Sequence, residues 1–503
     1  MFGSFSGTVQ FGSIALVNGN AATSRLFIAK WSKASNAFVW AQAINGSSAN
    51  IYANGLAVNG SNIYLTGYFA QGTVQFGTIT LTLASSFPAK ALFVAKLTDA
   101  GTTASFTWAQ QSASPSTGAI TRLGSIAVAG ANVYVAGTLG GTIDFGGGNL
   151  STSTPNDVNA DTEGFIVKHT DAGATGRFVW AQQVGGASSD YITKVAVGSA
   201  GRVYVCGSFD SRANFGPLSL TSAGGEDGFI AKLTDSGTSS SFAWAQRLGG
   251  TVTDAVRSMA VSGPAVYITG QAQQDADFGN IRLSNSGAEM FAAKLTDSGT
   301  SSSFVWVQAA YADAVDIAVK GTSVYLIGKT RFPGYWGTIY SPHYTGEMYL
   351  AKIRDSGTTS VFSWLQTTSQ SFNLTASSLV VSGADVYASG LIADYATFGS
   401  IPKVTTAHLQ ALSFLAFVTD NTLLASKAAS PVHLGIYPNP AQGSVHVVNA
   451  GVATQLSLLD NLGRAVRQGS GTTLSVQGVA PGFYMLQATT PGQATRTARI
   501  LVE

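Results

Sequence analysis

One stretch, Gly228 to Gln246 (GFIAKLTDSGTSSSFAWAQ), constrains the fold more than any other, because variants of it recur along the whole chain. Within it Phe229, Ala231 and Leu233 alternate with Ile230, Lys232 and Thr234, and that period of two puts successive side chains on opposite faces of a strand. Thr234-Asp235-Ser236-Gly237 supplies turn chemistry: Asp bonds its own downstream backbone, and Gly takes a positive φ without steric cost. Phe242-Ala243-Trp244-Ala245-Gln246 then reads as a returning strand, so the stretch predicts a hairpin.

The tryptophan recurs as Trp40, Trp108, Trp180, Trp244, Trp306 and Trp364, each two residues after a Phe. The Phe/Tyr-x-x-Lys strand recurs at Phe27, Phe93, Phe165, Phe229, Phe291 and Tyr349, with a degenerate copy at Phe414 in which Phe417 replaces Lys. An aromatic-Gly pair starts at Phe11, Phe76, Phe145, Phe215, Phe278, Trp336 and Phe398, a mean period of 64.5 from 387 residues over six intervals. Two more strands precede these in most repeats. In the fifth repeat the four are A (Met259-Ala260-Val261), B (Val266-Tyr267-Ile268-Thr269-Gly270), C (from Phe291) and D (ending Trp306-Val307-Gln308).

Four short antiparallel strands per repeat, with Gly-rich turns and a regular aromatic, predict the blades of a β-propeller. Seven copies of C and of the aromatic-Gly segment predict seven blades, with six as the alternative. The aromatic-Gly segment, inserted between B and C, reads as an extra short strand or hairpin. Met1-Phe2-Gly3-Ser4-Phe5 resembles the end of a B strand, which predicts that the repeat and an export signal begin upstream. The propeller is expected over 1–420, a linker over 421–431 and a separate unit over 432–503. In that last unit, alternating strands bounded by Pro, Asn and Gly read as a small β-sandwich.

Composition narrows the function. Charged residues are 10% of the chain and the formal net charge is +2, so the clustered basic surface of a nucleic-acid binder is not expected. No run of 18 apolar residues is present, so no membrane span is expected. The single cysteine, Cys206, excludes an intrachain disulfide and a Cys-cluster metal site, and reads as a small apolar strand residue. His169, His343, His408, His433 and His446 are scattered without metal-ligand spacing and read as surface residues; no metal or cofactor is expected.

Gly249-Gly250-x-x-x-Asp254, Met259-Ala260-Val261, Val266 to Gly270 and Phe291-x-x-Lys294-Leu295 together resemble the bacterial SBBP-type β-propeller repeat, over most of 1–420. The chain departs from it in the long Ser/Thr loop before the Trp strand and in the aromatic-Gly insert. Farther on, Tyr437-Pro438-Asn439-Pro440, then Asp460 with Gly463-Arg464, then Pro481-Gly482-x-Tyr484 resemble, in order, the type A C-terminal sorting domain of the type IX secretion system in Bacteroidota. That resemblance implies recognition by the type IX machinery and export to the outer cell surface or the medium.

Three features invite a chemical reading. The aspartates of the TDSG-type turns (Asp99, Asp171, Asp235, Asp297, Asp355) suggest a metal ring, but their spacing to Gly fits a C–D turn better. Asp190 and Asp254 in D–A loops, with Glu163, Glu226, Asp227, Glu289 and Glu347 before strand C, would share one face, where they either bind cations or only cap turns and solvate it. The sixth insert, Lys329 to Glu347, concentrates Arg331, Phe332, Tyr335, Trp336, Tyr340, His343 and Tyr344 on one loop. Aromatic faces stack on sugar rings. Arg331, Tyr335, Trp336, His343 and Tyr344 are therefore the candidate ligand-binding set, against the reading that Trp336 only fills the Phe slot of the repeat. The expected function is a non-enzymatic binding or adhesion module for polysaccharide or a surface protein. A glycan hydrolase or lyase with a buried carboxylate pair, and a purely structural matrix protein, are the alternatives.

Overall fold

The computed structural model describes the chain except residues 21–22, 49–50, 85–89, 114–118, 155–160, 200, 285–289, 343–345, 399–403, 406–410, 422–433, 449–453, 461–463 and 491–495. Apart from Asn421, the expected linker lies outside the described residues. Two compact units are present: Met1–Ser382 with Val386–Val418, and Gly383–Asp385 with Thr419–Glu503.

In the first unit the repeats fold as a series of antiparallel sheets. The fifth blade is typical: A is Ala255–Ser262, B is Ala265–Gln271, C is Met290–Asp297 and D is Ser302–Ala310, hydrogen-bonded in that order. Complete A-B-C-D sets make blades two to six. The first sheet consists of Phe2–Phe5, Arg25–Ser32 and Ala37–Ile44, and lacks A among the described residues. The last is built from Ser369–Ser382, Asp385–Thr397 and Leu412–Thr419, and lacks D among the described residues. Seven blades therefore follow one another, as the seven C strands require.

The Phe-x-Trp signature of strand D has a structural cause. On a regular strand both rings would share a face. In the fifth blade a β-bulge lies between them: Lys294 pairs with Trp306 and Leu295 with Phe304, which leaves Val305 extra. The bulge sends the rings to opposite faces. Phe304 meets Phe278 of its own blade's insert, while Trp306 reaches Asp355 of the sixth blade. The same shift occurs in blades one to four and six. Core clusters accordingly draw on two neighbouring blades: Tyr267, Ala292 and Trp306 of the fifth pack with Leu326, Trp336 and Tyr349 of the sixth.

The turn aspartates do more than close turns. Asp297 Oδ1 accepts from its own Gly299 amide, as expected, but also from Trp244 Nε1 of the preceding blade at 3.1 Å. Lys232 Nζ and Tyr204 Oη of that blade both reach its Oδ2 at 2.7 Å. The set repeats at Asp171 (Lys96, Trp108, Tyr64), Asp235 (Lys168, Trp180, Tyr134) and Asp355 (Lys294, Trp306, Tyr267). Each charge is buried, paired and hydrogen-bonded, which is the condition for burying it at all. Between the last blade and the first the pair is replaced: Phe417 holds the Lys position and Lys33 the Asp position, and Lys33 Nζ lies 4.9 Å over the Phe417 ring. Trp31 packs there too, 6.2 Å from Phe417.

The first six aromatic-Gly segments each form a two-stranded hairpin, such as Arg212–Phe215 with Leu218–Thr221. Its aromatic is buried against the C-strand ring; Phe215 lies 5.0 Å from Phe229. The hairpin also pairs with strand D of the preceding blade, Val184 with Phe215 and Gly186 with Ala213, so the insert latches neighbouring blades.

The second unit packs one sheet of Ile436–Tyr437, Ser444–Val447 and Thr473–Ser475 with another of Gln455–Leu459, Ala465–Ser470, Gly482–Thr489 and Arg496–Val502. Leu456, Leu458, Leu486 and Ile500 fill the core with Val445 and Leu474. This is the sandwich expected from the sequence.

Candidate functional site

The inner strands converge on an axial cavity of about 810 Å³. Asn54, Ser125, Lys194, Arg257, Asp313, Asp316 and Ser378 line it from the A strands, and Tyr68, Gln271 and Arg331 from the ends of the B strands. These are the chain segments next to the D–A and B–C loops, the face expected to carry a site. Tyr52 stacks on Tyr68 at 4.7 Å with an interplanar angle of 25°, and Tyr52 remains 45% exposed. Arg257 hydrogen-bonds Gln271 Oε1 and has no carboxylate partner among the described residues. Asp316 is buried and ties four blades together: it accepts from Lys194, Ser258, Ser378 and the Leu379 amide. Its charge is thus spent inside the ring.

Of the described sixth-insert candidates, the structure brings one to this cavity. Arg331 lines it and pairs with Asp313 at 2.9 Å. Trp336 is 1% exposed, packed edge-on against Tyr349 at 4.6 Å and Phe362 at 5.3 Å. It fills the repeat's aromatic slot and cannot meet a ligand, which corrects its place in the candidate set. Tyr335 is 66% exposed and packs with Tyr340 on the hairpin surface. His343 and Tyr344 lie outside the described residues, as does Glu289. The channel residues Tyr52, Tyr68 and Arg257 were missed by sequence reasoning: Tyr68 and Arg257 do not repeat, and Tyr52 recurs only as Tyr191 of the fourth blade.

Four of the acids on this face are buried, while Glu226 and Glu347 are half-buried. The buried four are Glu163, Asp190, Asp227 and Asp254. They meet in two pairs behind the Gly-Gly of strand D: a Cβ at Gly249 would lie 2.5 Å from Asp227 Oδ1 and 2.8 Å from Asp254 Oδ2. Gly249 has φ +134°, so both space and backbone require glycine there. Asp254 accepts from the Gly250 and Gln273 amides, and Asp190 from Gly186. Arg247 sits on Asp227 at 2.6 Å; at the neighbouring seam Gln183 occupies that position and donates to Glu163. Burial, reinforced by the Glu163 charge, pushes the Asp190 carboxyl up to about 8. Asp254 rises to about 6, again through burial first. For Glu163, Asp190, Asp227 and Asp254 the expectation of solvation is corrected, whereas that of capping is met: each accepts from a loop amide from inside. Ser208 Oγ donates to Glu226.

Other side chains are structural. Cys206 is buried, and burial pushes its thiol up to about 12. His169, read as a surface residue, is instead buried with neither ring nitrogen hydrogen-bonded, and burial lowers it to about 4. His446 stacks on Tyr437, while His408 and His433 lie outside the described residues. Among the described residues no three His, Cys, Asp or Glu side chains gather as a metal site.

In the C-terminal unit the motif residues hold turns. Asn439 donates to the Arg499 carbonyl at 3.0 Å and accepts from the Leu501 amide, which fastens Pro438-Asn439-Pro440 to the last strand. Asp460 accepts from the Arg464 amide and from Arg464 Nε; Gly463 between them lies outside the described residues. Tyr484 Oη donates to the Ala480 carbonyl, closing the Pro481-Gly482 turn.

Comparison with known proteins agrees with this architecture. Residues 435–503 match the family model described as a secretion system C-terminal sorting domain, and residues 179–215 match the model described as a β-propeller repeat. No curated protein matches the chain. Among solved structures, Trypanosoma rangeli sialidase with the inhibitor DANA is similar at 10% identity, covering 94% of this chain and 88% of that one, with a TM-score of 0.38. Pyrococcus horikoshii acylaminoacyl peptidase is similar at 9% identity over 80% of this chain, with a TM-score of 0.37; the chain spans 59% of that enzyme's length. The chain is an all-β protein with SBBP-type β-propeller repeats and a type A sorting domain that directs it through the type IX secretion system to the cell surface or the medium.

Proposed function

We propose that the exported propeller is a binding module that holds polysaccharide at the mouth of its axial channel. One observation carries this reading: the stacked, half-exposed Tyr52–Tyr68 pair stands at a cavity of about 810 Å³ lined by Arg257, Gln271, Asn54 and Arg331. An aromatic platform beside hydrogen-bonding groups is the chemistry that sugar rings ask for. The hairpin surface of Tyr335 and Tyr340 is a second patch of the same kind, without a cavity.

Hydrolysis is the reading the acid pairs favour, since they are buried and convergent. Yet Asp190, Asp227 and Asp254 are fully buried, so no substrate atom reaches them. We therefore assign them to the frame and read the site as non-catalytic. The test is retention of the full chain on a panel of immobilised polysaccharides, with soluble sugar release followed in parallel. Saturable retention that falls about tenfold or more in Tyr52→Ala, as loss of an aromatic hot spot would give, supports the proposal. Retention nowhere, or release of sugar, contradicts it.

A further inference from the structure

The wall of the axial cavity owes its chemistry to a bulge that recurs in the A strands. In blades two to six a one-residue slip in the A–B register leaves Asn54, Gly124, Thr193, Arg257 and Val315 without a partner on strand B. All five line the cavity. A β-bulge re-aims the side chain of its extra residue, so each of these blades presents one variable position to the channel.

Four of the positions are engaged or inert. Asn54 Nδ2 donates to the Gly124 carbonyl at 3.2 Å and Thr193 Oγ1 to the Val256 carbonyl at 2.8 Å, each on the backbone of the next blade. Gly124 and Val315 bring no hydrogen-bonding side chain. Arg257 is different. It is exposed, and among the described residues its side chain hydrogen-bonds Gln271 Oε1 alone, at 3.4 Å. A guanidinium carries five N–H donors in a fixed fork, so most of its bonding capacity is left for a ligand.

The charges of the cavity point the same way. Asp316 pairs with Lys194 at 3.3 Å and Asp313 with Arg331 at 2.9 Å, which leaves Arg257 as the lining cation without a carboxylate among the described residues. Ala255 holds the register position that Tyr52 holds in the second blade, so the fifth blade sets a methyl group rather than a ring at the mouth. The tyrosine platform and this guanidinium belong to blades three apart and line one cavity. Given polysaccharide at the mouth, as proposed above, we infer that the saccharide is acidic. One sugar ring stacks on Tyr52 and Tyr68 while a carboxylate or sulfate group of the same chain pairs with Arg257. Oxyanions of both kinds match the guanidinium fork.

The test compares polymers that differ in charge alone: polygalacturonate with its carboxyl-reduced form, and dextran sulfate with dextran, each titrated into the full chain by calorimetry. At least one acidic polymer should bind about tenfold more tightly than its neutral counterpart, the gain of one hydrogen bond to a charged group, and added salt should narrow the gap. In Arg257→Gln the two members of that pair should bind alike. Arg257→Lys keeps the charge but not the fork and should restore part of the preference. Arg177 is exposed on strand D of the third blade and lies outside the cavity lining, so Arg177→Gln removes the same charge and should keep the preference. A preference in the first pair assigns a carboxylate to the Arg257 subsite, and one in the second a sulfate ester. Equal binding of charged and neutral members, or a preference that survives in Arg257→Gln, overturns the inference. Where such equal binding is lost in Tyr52→Ala, the polysaccharide reading itself stands; binding of no polymer overturns both.

Discussion

Asp297 takes hydrogen bonds from Lys232, Tyr204, Trp244 and Gly299, and it is fully buried while it does so. Burial alone would push its carboxyl up; the Lys232, Tyr204, Gly299 and Trp244 hydrogen bonds outweigh that and hold it near 2. A depressed carboxyl contributes stability that is complete above the unfolded value of about 3.8 and disappears as pH falls through 2. Asp171, Asp235 and Asp355 are lowered by the same balance of causes, so acid unfolding should steepen below about pH 4, read as the urea midpoint against pH. Asp297→Asn leaves Lys232 buried without its counter-charge and should cost about 3–5 kcal/mol in urea unfolding. Asp99→Asn, at the open first seam, should cost about 1 kcal/mol or less, because Lys30 is partly solvated. The repeated lysine and tryptophan were legible as a pattern. Their common partner was not, because it lies a whole blade away: Lys232 and Asp297 are 65 residues apart.

At the scale of the element, the two acid pairs behave oppositely to the turn aspartates. Burial and the neighbouring Glu163 raise Asp190 to about 8, so its contribution to stability is complete below about 3.8 and is lost as pH rises through 8. Urea unfolding at pH 5 and pH 9 should show that loss in the unaltered chain and a flatter profile in Asp190→Asn. At the next seam, where Arg247 neutralises Asp227, the corresponding Asp254 rises only to about 6. The insert hairpins carry a second element-scale expectation. Trp336→Ala removes a buried ring from between Tyr349 and Phe362 and should cost about 3–5 kcal/mol, whereas Tyr335→Ala on the exposed side should stay within about 0.5 kcal/mol. Alternation in strand D was enough to predict a strand. The bulge that parts Phe304 from Trp306 was not readable, since a bulge is defined by the partner strand.

For the whole molecule, repetition made the architecture legible and concealed the site. The lysine, tryptophan and insert aromatic recur in six or seven of the repeats, so a single sequence displays the propeller. The channel mouth is the reverse: Tyr52, Lys194, Arg257 and Asp313 come from four different blades, and the last three are each peculiar to their own. Concentration of aromatics in the sixth insert drew attention to a loop whose largest ring, Trp336, is core. The C-terminal unit was readable because its motif is short and local, with Asn439, Asp460 and Tyr484 each fixing a turn. Its role at this scale is checked by removing residues 435–503, which should leave the propeller folded but retained inside the cell. The account's central claim is that ligand sits at the channel mouth, and hydrogen exchange with saturating polysaccharide tests it most directly. Slowed exchange is expected at Tyr52–Leu56, Thr193–Lys194, Arg257–Ser258 and Asp313–Asp316. A footprint confined to Gly334–Ser341, or no footprint under conditions where the chain is retained, would contradict it.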